Sequence, residues 1–253
     1  MSNWIWRGLR SGIRTTAYPA AAETAAGVSP GLPRGAVMDG ADLASLVARC
    51  PTGALIERSG GVEVDTRRCV HCYRCVRDIA TPLAWGDGYE WGAVPDRGHV
   101  TPLGGAFRRS LHLIVVDAGD CGACLHEVKQ LANPYYNIHR LGFHFTPTPR
   151  HADVLIVVGP VTDQMRSALL KTYDAMPEPK RVVAVGACAL SGGVFGPSYF
   201  SGAGAASVLP VDVEVPGQPP PPLAILHGLL VAVGRKAPAS RAASTLMPTE
   251  GQP

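Results

Sequence analysis

The sequence has few charged residues and no long apolar run, and each of these features excludes a class of protein. Only 17% of its 253 residues are charged and the net charge is +3, which is too weak a balance for nucleic-acid binding. The longest apolar run, residues 223–234, contains His227 and is shorter than the ~20 residues of a membrane span. The N-terminus has neither the apolar core of a secretory signal nor a twin-arginine pair. The sequence therefore predicts a cytoplasmic protein.

Catalytic signatures are also missing. The sequence contains no G-x-G-x-x-G or P-loop pattern, and no nucleophile is recognisably paired with a general base. It does contain seven cysteines. Their odd number and their C-x-x-C spacing are typical of metal ligands in a reducing compartment, not of a disulfide framework. We therefore expect a metal-binding protein with no catalytic residue of its own.

Three cysteines at C-x-x-C-x-x-C spacing, Cys69, Cys72 and Cys75, form the first candidate site. This spacing is typical of a 4Fe–4S cubane whose fourth ligand is a remote cysteine followed by proline, and Cys50 fits that role. Zinc is the alternative, although structural zinc favours paired C-x-x-C knuckles. The pattern resembles a bacterial two-cluster ferredoxin that has lost the cysteines of its second cluster. His71, inside the loop, is predicted to support the cluster as a hydrogen-bond donor and not to bind iron.

Strand and helix patterns alternate from residue 110 onward. Four short β-rich runs are predicted, at 111–117, 154–159, 181–186 and 208–215. Helix-compatible stretches lie between them, including 124–132 and 164–175. This alternation predicts an α/β domain over residues 106–235, with a parallel sheet and helices on both faces. The rest of the chain is divided into an N-terminal helix, a small module and a disordered tail: 1–19, 20–105 and 236–253.

The other three cysteines, Cys121, Cys124 and Cys188, follow the first and third of these predicted strands. Ligands of open parallel sheets bind beyond the carboxyl ends of the strands, so these thiols are expected to meet at one edge. Glycines near them permit close approach of the backbone to a bound group: Gly119, Gly122, Gly186, Gly192 and Gly193. The sequence thus predicts a second cluster site.

Residues 117–127, DAGDCGACLHE, resemble the opening motif of the small subunits of membrane-bound, group 4 nickel–iron hydrogenases and formate hydrogenlyases. Later stretches agree with the same family: 149–154, 159–162, 177–180, 186–189 and 210–213. These subunits are related to the 20 kDa-type cluster subunit of complex I. Motifs at 6–10 and 15–19 resemble the polyferredoxin subunit of the same complexes. The chain looks like a fusion of the two, which implies a flavodoxin-like sheet preceded by a small α+β ferredoxin-like module.

The resemblance makes Cys121, Cys124 and Cys188 ligands of the second cluster, but this chain departs from the family at the fourth ligand. Where the family carries Pro-Gly-Cys-Pro-Pro, this sequence has Gln218 in the cysteine position. An amide is a poor ligand for iron in a sulfide cube. The expected outcomes are a 4Fe–4S cube with Gln218 or water at the fourth iron, a 3Fe–4S cluster, or an empty site.

Three further residues acquire weaker roles from the resemblance. Glu127 matches a glutamate near the proximal cluster and is a candidate proton relay, the alternative being a carboxylate on a helix surface. Arg150 and His151 are expected near the ligand edge, where charge tunes the potential of the cluster. The alternative for this pair is a solvated loop.

The resemblance implies an electron-transfer subunit of a membrane-associated oxidoreductase complex of the hydrogenase, formate hydrogenlyase or complex I type. Electrons would pass between the ferredoxin-type cluster and the second cluster, next to a large subunit that holds the catalytic site. Membrane subunits of that complex would hold the chain peripherally on the cytoplasmic side of the inner membrane, and nucleic acid is not among the partners. The alternative is a structural or assembly subunit with a degenerate second site.

Residues 4–14 predict an amphipathic helix. Ile5, Leu9 and Ile13 form an apolar stripe, and three arginines form a neighbouring stripe: Arg7, Arg10 and Arg14. This pattern suits a membrane surface or the groove of a partner. The alternative is a helix packed on its own domain.

Overall fold

The computed structural model describes residues 3–37, 41–58, 60–77, 83–95, 103 and 105–240. The N-terminal elements are α1 (Asn3–Ser11), β1 (Leu32–Pro33), α2 (Ala41–Ala48), β2 (Leu55–Arg58), β3 (Gly61–Val64) and β4 (Trp85–Gly86). The C-terminal elements are β5 (Leu111–Asp117), α3 (Ala123–Gln130), β6 (Phe143–Phe145), β7 (Val154–Val158), α4 (Asp163–Ala175), β8 (Arg181–Val185), α5 (Ala187–Ser191), β9 (Val213–Val215) and α6 (Pro222–Ala232).

The C-terminal part is built on one five-stranded sheet in the order β6-β5-β7-β8-β9. Every neighbouring pair of strands in it is parallel. This is the 2-1-3-4-5 order of flavodoxin-like folds. All residues of β7 are buried, as expected of a strand that is covered on both faces. The predicted fold class is therefore confirmed.

Alternate residues of the central strands belong to two separate apolar cores. Ile156 and Val158 of β7 pack in the core that contains α6 and the buried side of α3. Leu155 and Val157 pack in the other core, with Leu169 of α4 and residues of α5. Successive side chains of a strand point to opposite faces, so the helices cover both faces of the sheet.

Helix α6 accounts for the long apolar run at 223–234. All of its residues are buried, because the sheet covers one side and the N-terminal part reaches another. The N–H of Gly92 donates a 2.9 Å hydrogen bond to Nδ1 of His227 on this helix. A helix that is buried all round is apolar all round. Among the described residues, no helix has the length and apolar character that crossing a bilayer requires.

The sequence-based boundaries hold for the central elements and fail at two short strands. β5 has the predicted bounds, and α4 begins one residue before the predicted start. β6 was not predicted, because its three residues are too few to show an alternating pattern. The strand predicted at 208–215 shrinks to β9, since Pro210 lacks the N–H that a strand ladder needs.

The N-terminal module surrounds a small core of its own. β2 and β3 form an antiparallel hairpin against which α2 packs, and β1 pairs antiparallel with β4. Leu46, Val62 and Val64 are buried in this core, and Cys50 and Cys75 pack against it. A small α+β module thus precedes the parallel sheet.

The module is joined to the sheet at the outer edge of β9. Ala93 and Glu214 exchange backbone hydrogen bonds of 2.9 and 2.8 Å, which add Ala93 to the sheet as an antiparallel bridge. This contact covers part of a strand edge that would otherwise be open to pairing with other chains. Beyond α6, the N–H of Ala239 donates to the carbonyl of Gly92 at 2.7 Å. The remainder of the predicted tail, 241–253, lies outside the described residues.

Helix α1 makes no such contact. It ends at Ser11, before the predicted residue 14, because Gly12 adopts a left-handed φ of 62°. None of its residues is buried, and Leu9 is 70% exposed. Among the described residues, this exposure favours a membrane surface or a partner groove over packing on its own domain.

Candidate metal centres

The fold brings the four cysteines of the first candidate site into one pocket. Cys50 follows α2, and the other three lie on the loop after β3: Cys69, Cys72 and Cys75. All four are half-buried. The ring of Tyr73 stacks on Trp85 with centroids 4.4 Å apart, and both residues line the same pocket. The set is thus enclosed partly by aromatic surface.

The loop that carries these cysteines has an unusual backbone. His71 and Tyr73 adopt left-handed φ angles of 51° and 59°, a conformation that costs a non-glycine residue roughly 1–2 kcal/mol. Left-handed residues between right-handed ones turn successive N–H groups into a concavity that suits anions and iron–sulfur groups. The N–H of His71 already donates to the sulfur of Cys69. Sequence reasoning missed this feature, because neither residue is a glycine or asparagine that would signal it.

Burial and mutual proximity govern the acidity of these thiols. Burial raises the pKa of Cys69 to about 12, and the neighbouring thiols of Cys75, Cys50 and Cys72 contribute to the rise. Burial also raises the pKa of Cys50, but hydrogen bonds from Thr52 and Ala54 outweigh it and leave that pKa below its usual value. The N–H of Ala54 lies 3.2 Å from the sulfur of Cys50. Bound cationic iron would reverse the repulsion among the thiolates, so this set fits a metal cluster.

His71 is held as a neutral side chain beside the first set. Burial lowers its pKa to about 4, and its ring makes edge contacts with Trp85 and Trp91 at 5.6 and 5.8 Å. Within the described residues its buried Nε2 atom has no hydrogen-bond partner. Its role as a donor beside the cluster stays a prediction.

The second candidate site forms at the carboxyl edge of the parallel sheet. Cys121 follows β5, Cys124 lies in the first turn of α3, Cys188 lies in α5 after β8, and Gln218 follows β9. Nε2 of Gln218 donates to the sulfur of Cys188 at 3.3 Å, and the thiol of Cys124 lies 3.7 Å from Oε1 of Gln218. Cys124 and Cys188 are buried, whereas Cys121 is exposed. The amide at the fourth position thus contacts both buried thiols.

Two of the glycines noted in the sequence have no Cβ atom to clash with the nearby cysteine sulfurs. A Cβ atom on Gly186 would lie 2.4 Å from the sulfur of Cys124, and one on Gly193 would lie 2.6 Å from the sulfur of Cys188. Asp120, which sequence reasoning missed, accepts hydrogen bonds from the N–H groups of Gly122 and Leu125 at 3.0 and 3.1 Å. The glycines allow close packing, and the carboxylate holds the turn between Cys121 and Cys124.

The second set is crowded with acidic groups. Burial raises the pKa of Cys124 far above its usual value, and the charges of Asp120, Cys188, Cys121 and Glu127 add to the rise. Burial likewise raises the pKa of Cys188, while the hydrogen bond from Gln218 opposes it. A cation at this edge would therefore be stabilised by several groups at once.

Glu127 lies on α3, one turn after Cys124. Burial raises the pKa of its carboxyl group, and His126 opposes the shift. It is half-buried, so it is not a carboxylate on a freely solvated helix surface. Its role as a proton relay stays a prediction.

The expected placement of Arg150 and His151 near the ligand edge is wrong. Both lie on the short turn before β7. Because Val154 pairs with Leu113 and Val158 with Asp117, residues that precede Val154 lie at the amino edge of the sheet. The cysteines lie at the opposite edge, one strand length away, and the order of residues along the chain does not reveal this separation.

Across the described ranges, no group of three or more His, Cys, Asp or Glu side chains could hold a single metal ion. A cubane poses a different geometric demand. Each thiolate binds a different iron atom, so its sulfurs surround the cluster and do not converge on one point.

Comparisons with known proteins match the C-terminal part of the chain. The family model of the NADH ubiquinone oxidoreductase 20 kDa subunit matches residues 121–232. The probable membrane-bound hydrogenase subunit mbhJ of Pyrococcus furiosus is 43% identical over 129 residues, which are 51% of this chain and 77% of that protein. Formate hydrogenlyase subunit 7 of Escherichia coli is 40% identical over 127 residues, half of each chain. An NADH-quinone oxidoreductase subunit of Carboxydothermus hydrogenoformans is 47% identical over 108 residues, 42% of this chain and 65% of that protein.

The named relatives are thus subunits of hydrogenase, formate hydrogenlyase and quinone oxidoreductase complexes. The chain belongs to the family of the 20 kDa subunit of NADH ubiquinone oxidoreductase. The matched range contains Cys121, Cys124, Cys188 and Gln218, and the resemblance inferred from the motifs is confirmed for it. The four cysteines of the first set lie outside this range, so the fusion with a ferredoxin module stays a prediction.

Substitution of Gly193 tests the packing around the second set. A methyl group there would meet the sulfur of Cys188, so the G193A variant is expected to lose iron from the second set, up to about four atoms per chain. G196A is the matched control, because Gly196 has a similar φ, 62° against 60°, and open space around it. Iron and acid-labile sulfide are measured after anaerobic purification. Equal losses in both variants would contradict the contact as the cause.

Proposed function

We propose that the chain is an electron-transfer iron–sulfur subunit of a membrane-associated oxidoreductase complex related to hydrogenase, formate hydrogenlyase and complex I. It would carry electrons between a ferredoxin-type 4Fe–4S cluster and a second cluster next to a large subunit. One observation carries the proposal: a single chain gathers two separate sets of thiols, one on the N-terminal module and one at the carboxyl edge of the sheet. Relatives named as subunits of such complexes support it.

The first set would hold its cluster through Cys50, Cys69, Cys72 and Cys75. A bound 4Fe–4S cluster accepts and releases one electron at a time at low potential. The residues of the chain supply three things: four thiolates, the N–H of His71 that donates to the sulfur of Cys69, and aromatic side chains that keep water from part of the pocket. Hydrogen bonds to the sulfurs, such as that from Ala54 to Cys50 at 3.2 Å, set the potential.

The second set would hold its cluster through Cys121, Cys124 and Cys188, with Gln218 near the fourth corner. A neutral amide there adds no negative charge to a site that Asp120 and Glu127 already make acidic. The three thiolates suit a 4Fe–4S cluster with an incomplete fourth position or a 3Fe–4S cluster. Glu127 would move protons beside this centre.

A large partner subunit would cover the second set. The chain that follows α5 packs against the sulfur of Cys188 through Gly193, and then exposes four apolar side chains: Val194, Phe195, Tyr199 and Phe200. A contiguous exposed apolar surface marks an interaction site. The catalytic chemistry would lie in that partner, since the thiols of both candidate centres would be engaged as cluster ligands.

A structural or assembly role is the second candidate, and Gln218 favours it. Its amide bonds to the buried thiols of Cys188 and Cys124 and so satisfies polar groups of the second set without any metal. In that case the second set would be scaffold and only the first set would carry iron. About four irons per chain would indicate this role, and about eight would indicate two cubes.

Helix α1 would place the chain peripherally at the cytoplasmic side of the inner membrane. Its apolar residues are exposed, with Trp4 and Trp6 at 70% and 66%, and three arginines flank them: Arg7, Arg10 and Arg14. The sequence has no acidic residue before Glu23. Tryptophan at the level of the headgroups and arginine against anionic lipid are typical of helices that lie in a membrane interface.

Replacement of Cys72 tests the first cluster. The C72A variant removes one of four thiolates, so it is expected to lose about four irons per chain and one EPR signal of the reduced protein. R74A is the control, because Arg74 is an exposed neighbour on the same loop. Iron content of C72A equal to that of the unmodified protein would rule out the assignment.

Replacement of Gln218 tests the second cluster. Because a thiolate adds negative charge and the amide does not, the native reduction potential is expected to lie above that of Q218C. Q218L is the control, since leucine is neutral but donates no hydrogen bond to Cys188, and its potential should fall between the two. Redox titration followed by EPR measures all three. A native potential equal to or below that of Q218C would contradict the ligand argument.

Replacement of the three arginines in and just after α1 tests the membrane contact. The R7Q/R10Q/R14Q variant is expected to bind phosphatidylglycerol vesicles roughly 100-fold more weakly in flotation assays, since each arginine near an anionic surface contributes about 1 kcal/mol. R150Q/R166Q/K171Q removes the same charge from exposed positions elsewhere and should bind as the native chain does. Equal binding of the native chain to phosphatidylcholine alone would count against an electrostatic contact.

A further inference from the structure

One arginine joins the loop of the first cysteine set to the elements that carry the second. Arg67 lies two residues before Cys69. Its Nη2 atom is 3.1 Å from Oε1 of Glu214 and donates to the carbonyl of Leu190 at 3.3 Å. Its own carbonyl accepts a 3.0 Å hydrogen bond from the hydroxyl of Ser191. Side chain and backbone of one residue thus contact three residues of the C-terminal part.

Each of these three partners lies close to a member of the second set. Leu190 is on α5, two residues after Cys188. Ser191 ends the same helix, and its single hydroxyl hydrogen is shared between the carbonyls of Arg67 and Ala187, each 3.0 Å away. Glu214 is on β9, four residues before Gln218. Arg67 therefore connects the first set with both α5 and β9.

The negative charge of this contact is withdrawn from water, and the positive charge is half-exposed. The side chain of Glu214 is only 4% exposed and that of Arg67 is 40% exposed. Glu214 is also fixed by its backbone, which pairs with Ala93 on the other side. A charge that is mostly excluded from water, as that of Glu214 is, acts on its neighbours with little screening by salt. A positive and a negative charge are thus held at the junction between the two sets.

We propose that Arg67 and Glu214 are positioning residues that fix the first centre relative to the second, and that their opposite charges set the potentials of both. The proposal rests on the proposed function, because it requires that at least one set holds a cluster. It predicts a signature that loss of packing alone does not give. Removal of the negative charge favours the more negative, reduced state of a nearby cluster, and removal of the positive charge disfavours it.

Four variants of the full chain, purified anaerobically, test this. E214Q keeps the shape of the side chain and should raise the reduction potentials of the centres present. R67M should lower them and change the magnetic interaction between the two reduced centres in EPR. R67K keeps the charge and should restore the native potentials. R68M is the matched control, because Arg68 pairs with Asp65 inside the N-terminal module and is 55% exposed.

The outcomes separate this proposal from the function on which it rests. Opposite shifts in E214Q and R67M, with native potentials in R67K, support the charge pair. Shifts in the same direction, or shifts no larger than that of R68M, overturn it while the proposed function stands. A native chain without any cluster overturns both. Iron content in every variant shows which case applies.

Discussion

The second candidate centre depends on the parallel direction of three strands. Cys121, Cys188 and Gln218 are far apart in sequence, but each follows the carboxyl end of a strand of the same sheet. Parallel strands end at one edge of the sheet, so each crossover brings the next of these side chains back to that edge. An antiparallel β9 would carry Gln218 to the opposite edge and separate it from Cys124 and Cys188. The site thus depends first on the parallel topology, which brings these side chains together, and then on the residue types.

The N-terminal module attaches to the outer edge of the same sheet. It bonds to the outer edge of β9 through Ala93 and reaches α6 through Gly92, so the strand that leads to Gln218 is held between β8 and the module. This attachment closes part of an open strand edge and brings the loop of Cys69 next to α5. The module therefore contributes to the stability of the C-terminal fold as well as supplying thiols. Under the proposed function, this junction would also keep the two sets of thiols at a fixed separation.

Sequence patterns predicted the parallel α/β sheet and both sets of thiols, since the alternation of strands and helices and the spacing of cysteines are local features, and the family resemblance implied the flavodoxin-like fold. They could not predict contacts that depend on tertiary geometry. The left-handed His71 and Tyr73 carry no glycine signal, and the Arg67–Glu214 pair joins residues from separate elements. Arg150 and His151 were misplaced for a related reason: a residue just before a strand lies at its amino edge, however close in sequence its ligand-bearing neighbours are. The spacing of residues in the sequence identifies candidate ligands, and the direction of the strands determines at which edge of the sheet each residue lies.

Gln218 shows how one substitution changes both the charge and the bonding of a site. A thiolate in its place would add a negative charge beside Cys121, Cys124 and Cys188. Burial and acidic neighbours already raise the pKa values of Cys124 and Cys188. The amide adds no such charge, and its N–H stabilises the sulfur of Cys188. Both effects favour an added electron, because a cluster with less negative charge and more hydrogen bonds is easier to reduce. Under the proposed function, an amide at this corner would suit a second centre that accepts electrons from a first cluster of lower potential.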